Sequence, residues 1–274
     1  MPPVGRFVVG FLVTAGIVAA STDCFAGTIG FRTDAEVTSG PGIDAKVTLT
    51  HTGDETADNV NMSAQLLDRK MDGTAVASMR PGQNQVWNFH LFDEIPKGVY
   101  AIVLRTRYSD TNGYPFEVIS TADATVGVQP APRIHGSLDV PRLSAGGEAT
   151  AKLTARKPPE RSGSFEVRLV APAGLEVRPE RLPLTFDASG KATADFRVRN
   201  LKLLAGTTVS IYGLITGTNA GLSQSDTIRG SVRIATPVPR VTFPMFYQAA
   251  AAVFLLLALL EGVAWASARR SPKE

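Results

Sequence analysis

The sequence predicts an all-β protein, two antiparallel β-sandwiches in tandem, followed by one C-terminal transmembrane α-helix. Three observations predict it. Apolar and polar residues alternate with period two through the middle of the chain, without long helical periodicity there. Glycine (25) and proline (18) are plentiful while aromatics make up only 7%, which suits short strands joined by turns. Residues 241–260, VTFPMFYQAAAAVFLLLALL, carry no charge. At about 1.5 Å rise per residue a helix of that length crosses the roughly 30 Å core of a bilayer.

The N-terminus supplies the direction. Arg6 precedes an apolar stretch at 7–20, FVVGFLVTAGIVAA, short for a span but suited to a signal-peptide core. Residues 1–26 are expected to be that signal, cleaved after Ala20 or Ala26, with a retained N-terminal anchor as the alternative. Arg269, Arg270 and Lys273 follow the C-terminal span and favour a cytoplasmic tail at 269–274. The expected product is a single-pass protein of the cytoplasmic (inner) membrane with its N-terminal domains outside, in the periplasm. The lone cysteine, Cys24, lies in or beside the signal, so no disulfide or thiolate chemistry is expected of the mature part.

The first domain is expected over 27–130. Ile43, Ala45, Val47 and Leu49 alternate with polar residues, a turn-rich HTGDETADN follows, and 60–67 reads as another strand. At 86–92, Trp87, Phe89 and Leu91 face away from Asn88 and His90. Strands at 98–108 and 116–128 flank SDTNG, whose Asn-Gly suits a hairpin turn. A Pro-Ala-Pro linker at 129–133 leads to the second domain, 131–236. There Phe165, Val167 and Leu169, then Ala192, Ala194, Phe196 and Val198, mark inward faces, and 207–216 and 227–234 close the sheet. A second proline linker opens the stalk and transmembrane segment, 237–268. The two domains differ in charge: 27–130 has 8 basic and 13 acidic residues, and 131–240 has 16 and 9. The basic half suits anionic headgroups, acidic glycans or an acidic partner, or is an ordinary solvated face.

Two stretches resemble known modules. VTLTHTGDETADNVNMSAQLL (47–67) is similar to CARDB-type immunoglobulin-like modules in its Thr-Gly-Asp turn and Ala-x-Asn-Val strand entry. VAPAGLEVRPERLPLTFDASGKATADFRV (170–198) resembles the bacterial immunoglobulin-like module often appended to glycosidases, with its Pro-x-Gly-Leu turn. The resemblance implies immunoglobulin-like sandwiches and adhesion, spacing or accessory roles in a cell envelope.

Catalytic motifs are absent: there is no HExxH, GxSxG, phosphate-binding GxxxxGK[ST] or dinucleotide fingerprint. No enzyme activity and no cofactor are expected. Met62, Met71 and Met79 with His51 and His90 could suit copper, but scattered methionines read better as core filler. Asp110-x-Asn112-Gly113 is half of a calcium loop and reads better as a hairpin turn. No metal site is expected. Tyr108, Tyr114 and Phe116 around that turn are candidates for a protein partner or for stacking on sugar rings, or they cap the sandwich. Arg168, Arg197 and Arg199 are expected on one outward face of neighbouring strands, able to hold phosphate or carboxylate, or simply solvated. Ala258, Gly262 and Ala266 form a small-residue stripe beside Glu261, a candidate surface for helix packing. The function expected is a non-catalytic scaffold or accessory subunit in an envelope complex, alternatively a glycan-binding accessory protein. Its partners would be the membrane, an envelope protein and, in the alternative reading, a polysaccharide, but no nucleic acid.

Overall fold

The structure is a computed structural model and describes residues 28–129, 132–219, 221–236 and 243–269; side chains of the last segment are described at 248–261. The expected signal peptide, its two candidate cleavage sites and the part of the expected cytoplasmic tail beyond Arg269 lie outside the described residues.

Eight strands build the first sandwich: β1 (Phe31–Ser39), β2 (Ile43–His51), β3 (Ala57–Leu66), β4 (Arg69–Asp72), β5 (Val76–Met79), β6 (Asn84–Phe92), β7 (Gly98–Ser109) and β8 (Pro115–Val126). One layer has the order β1-β2-β6; in the other, β3 lies between β7 and the short β4 and β5, and β8 borders β7. Alternation does what it should. Ile43, Ala45, Val47 and Leu49 of β2 and Trp87, Phe89 and Leu91 of β6 all point into one buried cluster. Met62 and Met79 lie buried in the same core, and Met71 packs against it.

Eight more strands build the second sandwich: β9 (His135–Asp139), β10 (Glu148–Arg156), β11 (Phe165–Val170), β12 (Leu175–Arg178), β13 (Arg181–Leu184), β14 (Lys191–Asn200), β15 (Thr208–Asn219) and β16 (Leu222–Arg233). The order runs β12-β14-β10-β9, then β16-β15-β11-β13, folding over a separate core that includes Leu153, Val167, Phe196 and Ile215. With strands lettered by position, both sandwiches set A, B and E against C, F and G, the strand partition of the immunoglobulin fold. Tyr100, fully buried near the start of β7, donates its hydroxyl to the Pro96 carbonyl at 2.6 Å. That is the tyrosine corner expected of strand F in this fold.

The two sandwiches pack against each other through outward sheet faces. Ala101, Val103 and Ile119 of the first meet Val170, Tyr212 and Leu214 of the second in a third buried apolar cluster. At the sheet ends, β7 and β16 approach in parallel at Gly98 and Ser223. A Cβ on Gly98 would fall 2.4 Å from the Ser223 carbonyl oxygen, so only glycine permits the approach. Glu117, its side chain 5% exposed, ties the halves together. It accepts from Arg107 at 3.2 Å, Arg105 at 3.4 Å and the Ala173 amide at 2.6 Å. Arg105 also donates to the Ala171 carbonyl.

The expected 129–133 linker is pinned at its second end. Arg133 bridges to Asp123 at 2.7 Å, and the Pro132 carbonyl accepts from Arg161 Nε at 2.8 Å. Arg161 is 2% exposed and pairs at 3.2 Å with Asp226, 3% exposed. Burial pushes the Asp226 carboxyl above its ordinary range, against the pull of the Arg161 guanidinium.

A helix, α1 (Phe243–Arg269), follows. Among the described residues no helix is long and apolar enough to cross a membrane, so the expected transmembrane span is not reproduced. The side chains of α1 are described from 248 to 261. Within them the apolar groups are bare: Phe254 is 74% and Leu255 65% exposed.

Candidate functional site

The Tyr108–Phe116 hairpin is one of the places where the first sandwich reaches the second. Its turn is the expected one: Gly113 donates to the Asp110 carbonyl with φ of +78°, and the Asp110 carboxylate caps the Asn112 and Tyr114 amides. The three aromatics form a ladder with separate duties. Tyr108 is buried and stacks on Phe116 at 5.4 Å and edge-on to Phe31 at 5.0 Å. Burial pushes its phenol up to about 12. It belongs to the core cluster and also lines the cleft beside Tyr114. The turn lies one residue beyond Tyr108, too close for strand β7 to have left the core.

Tyr114 and Phe116 are partly exposed and meet edge to face at 5.1 Å. The Tyr114 hydroxyl donates to the Lys202 carbonyl of the second sandwich. Between them opens a cleft of about 450 Å³, lined by Tyr114, Phe116, Arg107, Pro172, Lys202 and Leu203, among others. Its volume is in the range of small-ligand sites. Asn59 also lines it, with φ of +53° and its amide on Ser109 Oγ. A non-glycine residue in this conformation is uncommon; here it sits in the bulge between β3 and β7.

Both stretches that resemble known modules therefore reach this cleft. Asn59 belongs to the Ala-x-Asn-Val entry, and Pro172 with Gly174 to the Pro-x-Gly-Leu turn. Glu117, Asn59 and Lys202 were not singled out in the sequence, because they are scattered and only the packing of the two sandwiches gathers them. A carboxylate, an amide, two cations and two half-open aromatic faces can bind a polar ligand with a flat apolar side.

The three arginines do not form one patch. Arg197 and Arg199 lie exposed on β14, near Arg178, Glu148 and Glu176 at a small depression. Arg168 lies on β11 in the opposite layer, half-buried under the first sandwich. Alternation gives the face of a strand; only topology gives its sheet. Of the small-residue stripe on α1, Ala258 and Glu261 are exposed, while the side chains of Gly262 and Ala266 lie outside the described residues.

Among the described residues no cluster of three or more His, Cys, Asp or Glu could hold a metal ion. His51 is buried, its Nδ1 accepting from the Gly53 amide. His90 is exposed and held by two carboxylates, Asp44 on Nδ1 and Asp93 on Nε2, each at 2.7 Å. Asp44 first, then Asp93, raises its pKa above the ordinary 6.5. A value raised on folding stabilises the fold below the unfolded pKa, and that contribution disappears as pH rises through the folded one. Proton NMR of the ring should therefore show His90 titrating above 6.5, with Asp44→Asn lowering the midpoint more than Asp93→Asn. A midpoint at or below 6.5 would contradict the paired geometry.

No protein-family model and no curated protein matches the sequence. Among solved structures the chain is similar to a Salmonella alpha-2-macroglobulin, the Y1175G mutant, at 12% identity and a TM-score of 0.32; the match covers 76% of this chain and 16% of that one. The chain thus spans under a fifth of the macroglobulin's length. It is also similar to a protein of unknown function from Porphyromonas gingivalis W83, at 12% identity over 74% of this chain and 99% of that one, TM-score 0.27. An I-band fragment of titin, I67–I69, shows 14% identity over 76% and 66%, TM-score 0.20.

Proposed function

We propose that this protein is a non-catalytic adaptor of a bacterial cell envelope, with its two sandwiches held outside the cytoplasmic membrane and its C-terminal tail inside. In this reading the sandwiches are of CARDB and glycosidase-associated immunoglobulin-like type, and they position or recruit an envelope protein. The observation that carries it is the bare apolar surface of α1. From Val253 to Leu260 the large side chains are all exposed, and a stretch of helix that is apolar all round needs an apolar surrounding. Ala258, Glu261, Gly262 and Ala266 are the residues of that helix proposed to meet a second helix.

Membrane fractionation tests the tether. The full chain should stay in the membrane pellet through alkaline carbonate extraction, and a chain lacking 243–269 should be released. Release of both would remove the tether; a cross-linked pull-down without any envelope protein would remove the adaptor role.

A second reading is favoured by the cleft. Partly exposed Tyr114 and Phe116 beside polar groups suit the face of a sugar ring, making the protein a glycan-binding accessory. Binding to envelope polysaccharides that drops on Tyr114→Ala would support that reading, and no binding to any of them would end it.

A further inference from the structure

On the side of the interface away from Tyr114, two arginines stand directly opposite each other on neighbouring strands: Arg168 of β11 and Arg181 of β13. Like charges in that position destabilise a sheet. Arg181 is compensated by Glu166 at 3.3 Å and approached by Asp68 at 3.8 Å. Arg168 has no ion-pair or hydrogen-bond partner among the described residues, although it is half-buried. Burial first, and then the charge of Arg181, pull its guanidinium below the ordinary arginine range. Both arginines line a small cleft of about 130 Å³, with the carboxylates Glu166 and Asp68 on the Arg181 side, the hydroxyl residues Thr216 and Ser225 and the apolar Leu67 and Leu214.

That space accommodates one small charged group. It adjoins a larger trough of about 590 Å³ on the outer face of β13, β11 and β15, walled by Phe165, Leu182 and Pro183 and sharing Glu166, Arg181 and Thr216 with the cleft. Leu67 closes the other side. It is 47% exposed at the tip of the β3–β4 hairpin and has φ of +53°, a costly conformation for a bulky residue. A half-buried cation without a hydrogen-bond partner, a strained apolar tip beside it and a trough of mixed apolar and polar lining leading away come together at one place.

We propose that Arg168, backed by Arg181, is an oxyanion-binding site that takes the carboxylate of an acidic side chain from an extended protein segment lying in the adjoining trough. The guanidinium fork matches a carboxylate in two-point fashion. Leu67 and the trough walls cover the neighbouring apolar residues of the segment, which a free inorganic anion would leave unused. The site is distinct from the Tyr114 cleft and does not depend on the tether.

Calorimetric titration of the detergent-solubilised full chain tests it, with three probes: a capped peptide of alternating Glu and Val, its Gln counterpart, and inorganic phosphate. The Glu peptide should bind at one saturable site, and the Gln peptide and phosphate at least roughly tenfold more weakly. Arg168→Gln should lose roughly tenfold or more of the affinity, while Arg156→Gln, exposed on β10 in the other layer, binds like the parent. Arg168→Lys keeps the charge but not the fork and should bind several-fold more weakly; it carries the test if Arg168→Gln does not fold by circular dichroism. No saturable binding of the Glu peptide, equal binding by the Arg168 variants, or tighter binding of phosphate overturns the proposal. Loss of the envelope pull-down with peptide binding intact would instead count against the adaptor role.

Discussion

Arg161→Met should destabilise the second sandwich by about 3–5 kcal/mol, the cost of leaving one member of a buried ion pair alone. Arg161 and Asp226 are almost fully enclosed, so no water replaces the missing guanidinium. The Pro132 carbonyl loses its donor as well. The loss should depend on pH in a direction that burial fixes. The Asp226 pKa is already raised in the folded state, and without Arg161 it rises further. A raised folded pKa stabilises below the unfolded value, near 3.9 for aspartate, and its contribution is lost as pH rises through the folded one. The variant's deficit should therefore be largest at neutral pH and shrink in acid. Replacing both partners, Arg161→Met with Asp226→Leu, should recover most of it, because a buried pair can be exchanged for apolar groups of similar volume. Chemical denaturation at pH 5 and pH 8 reads both effects. A deficit that is the same at the two pH values would show that the pair carries no net charge cost.

Glu117→Ala should loosen the two sandwiches from each other without unfolding either. Three donors converge on this carboxylate, and bonds to a charged group contribute about 1.5–3 kcal/mol each. The Arg107 side chain is 54% exposed, and such a partner is largely solvated again when released. A loss of about 2 kcal/mol, felt at the interface, is the expected result. In differential scanning calorimetry a single cooperative transition should separate toward two, and solution scattering should show a larger radius of gyration. Unchanged cooperativity would mean that the apolar cluster around Val103 and Tyr212 holds the halves unaided.

Why some of this was legible and some was not follows from side-chain chemistry. β2, β6, β11 and β14 stand out in the sequence because each alternates apolar with polar or charged residues and carries at least two large apolar or aromatic groups on one face. β10 was missed because its inward positions hold Ala151 and Ala155, too small to register as an apolar stripe. β4, β5, β12 and β13 have four residues each, too few for any periodicity. The interface did leave a mark that alternation hides: 99–104 (VYAIVL) and 211–215 (IYGLI) are apolar on both faces, as strands covered on both sides are. For the candidate site, Tyr114 and Phe116 could be named from the turn they flank. Arg168 could be named, but neither its separation from Arg197 and Arg199 nor its pairing with Arg181 follows from spacing along the chain.

The approach of β16 to β7 bears on how the protein would carry load. β16 is the last strand before the stretch leading to α1, so a pull on the C-terminal chain enters the second sandwich along it. Ser223, at the other end of that strand, is the residue that meets Gly98. Tension can thus pass from one strand to a strand of the neighbouring sandwich at that contact, so that in mechanical terms the two sandwiches share the load.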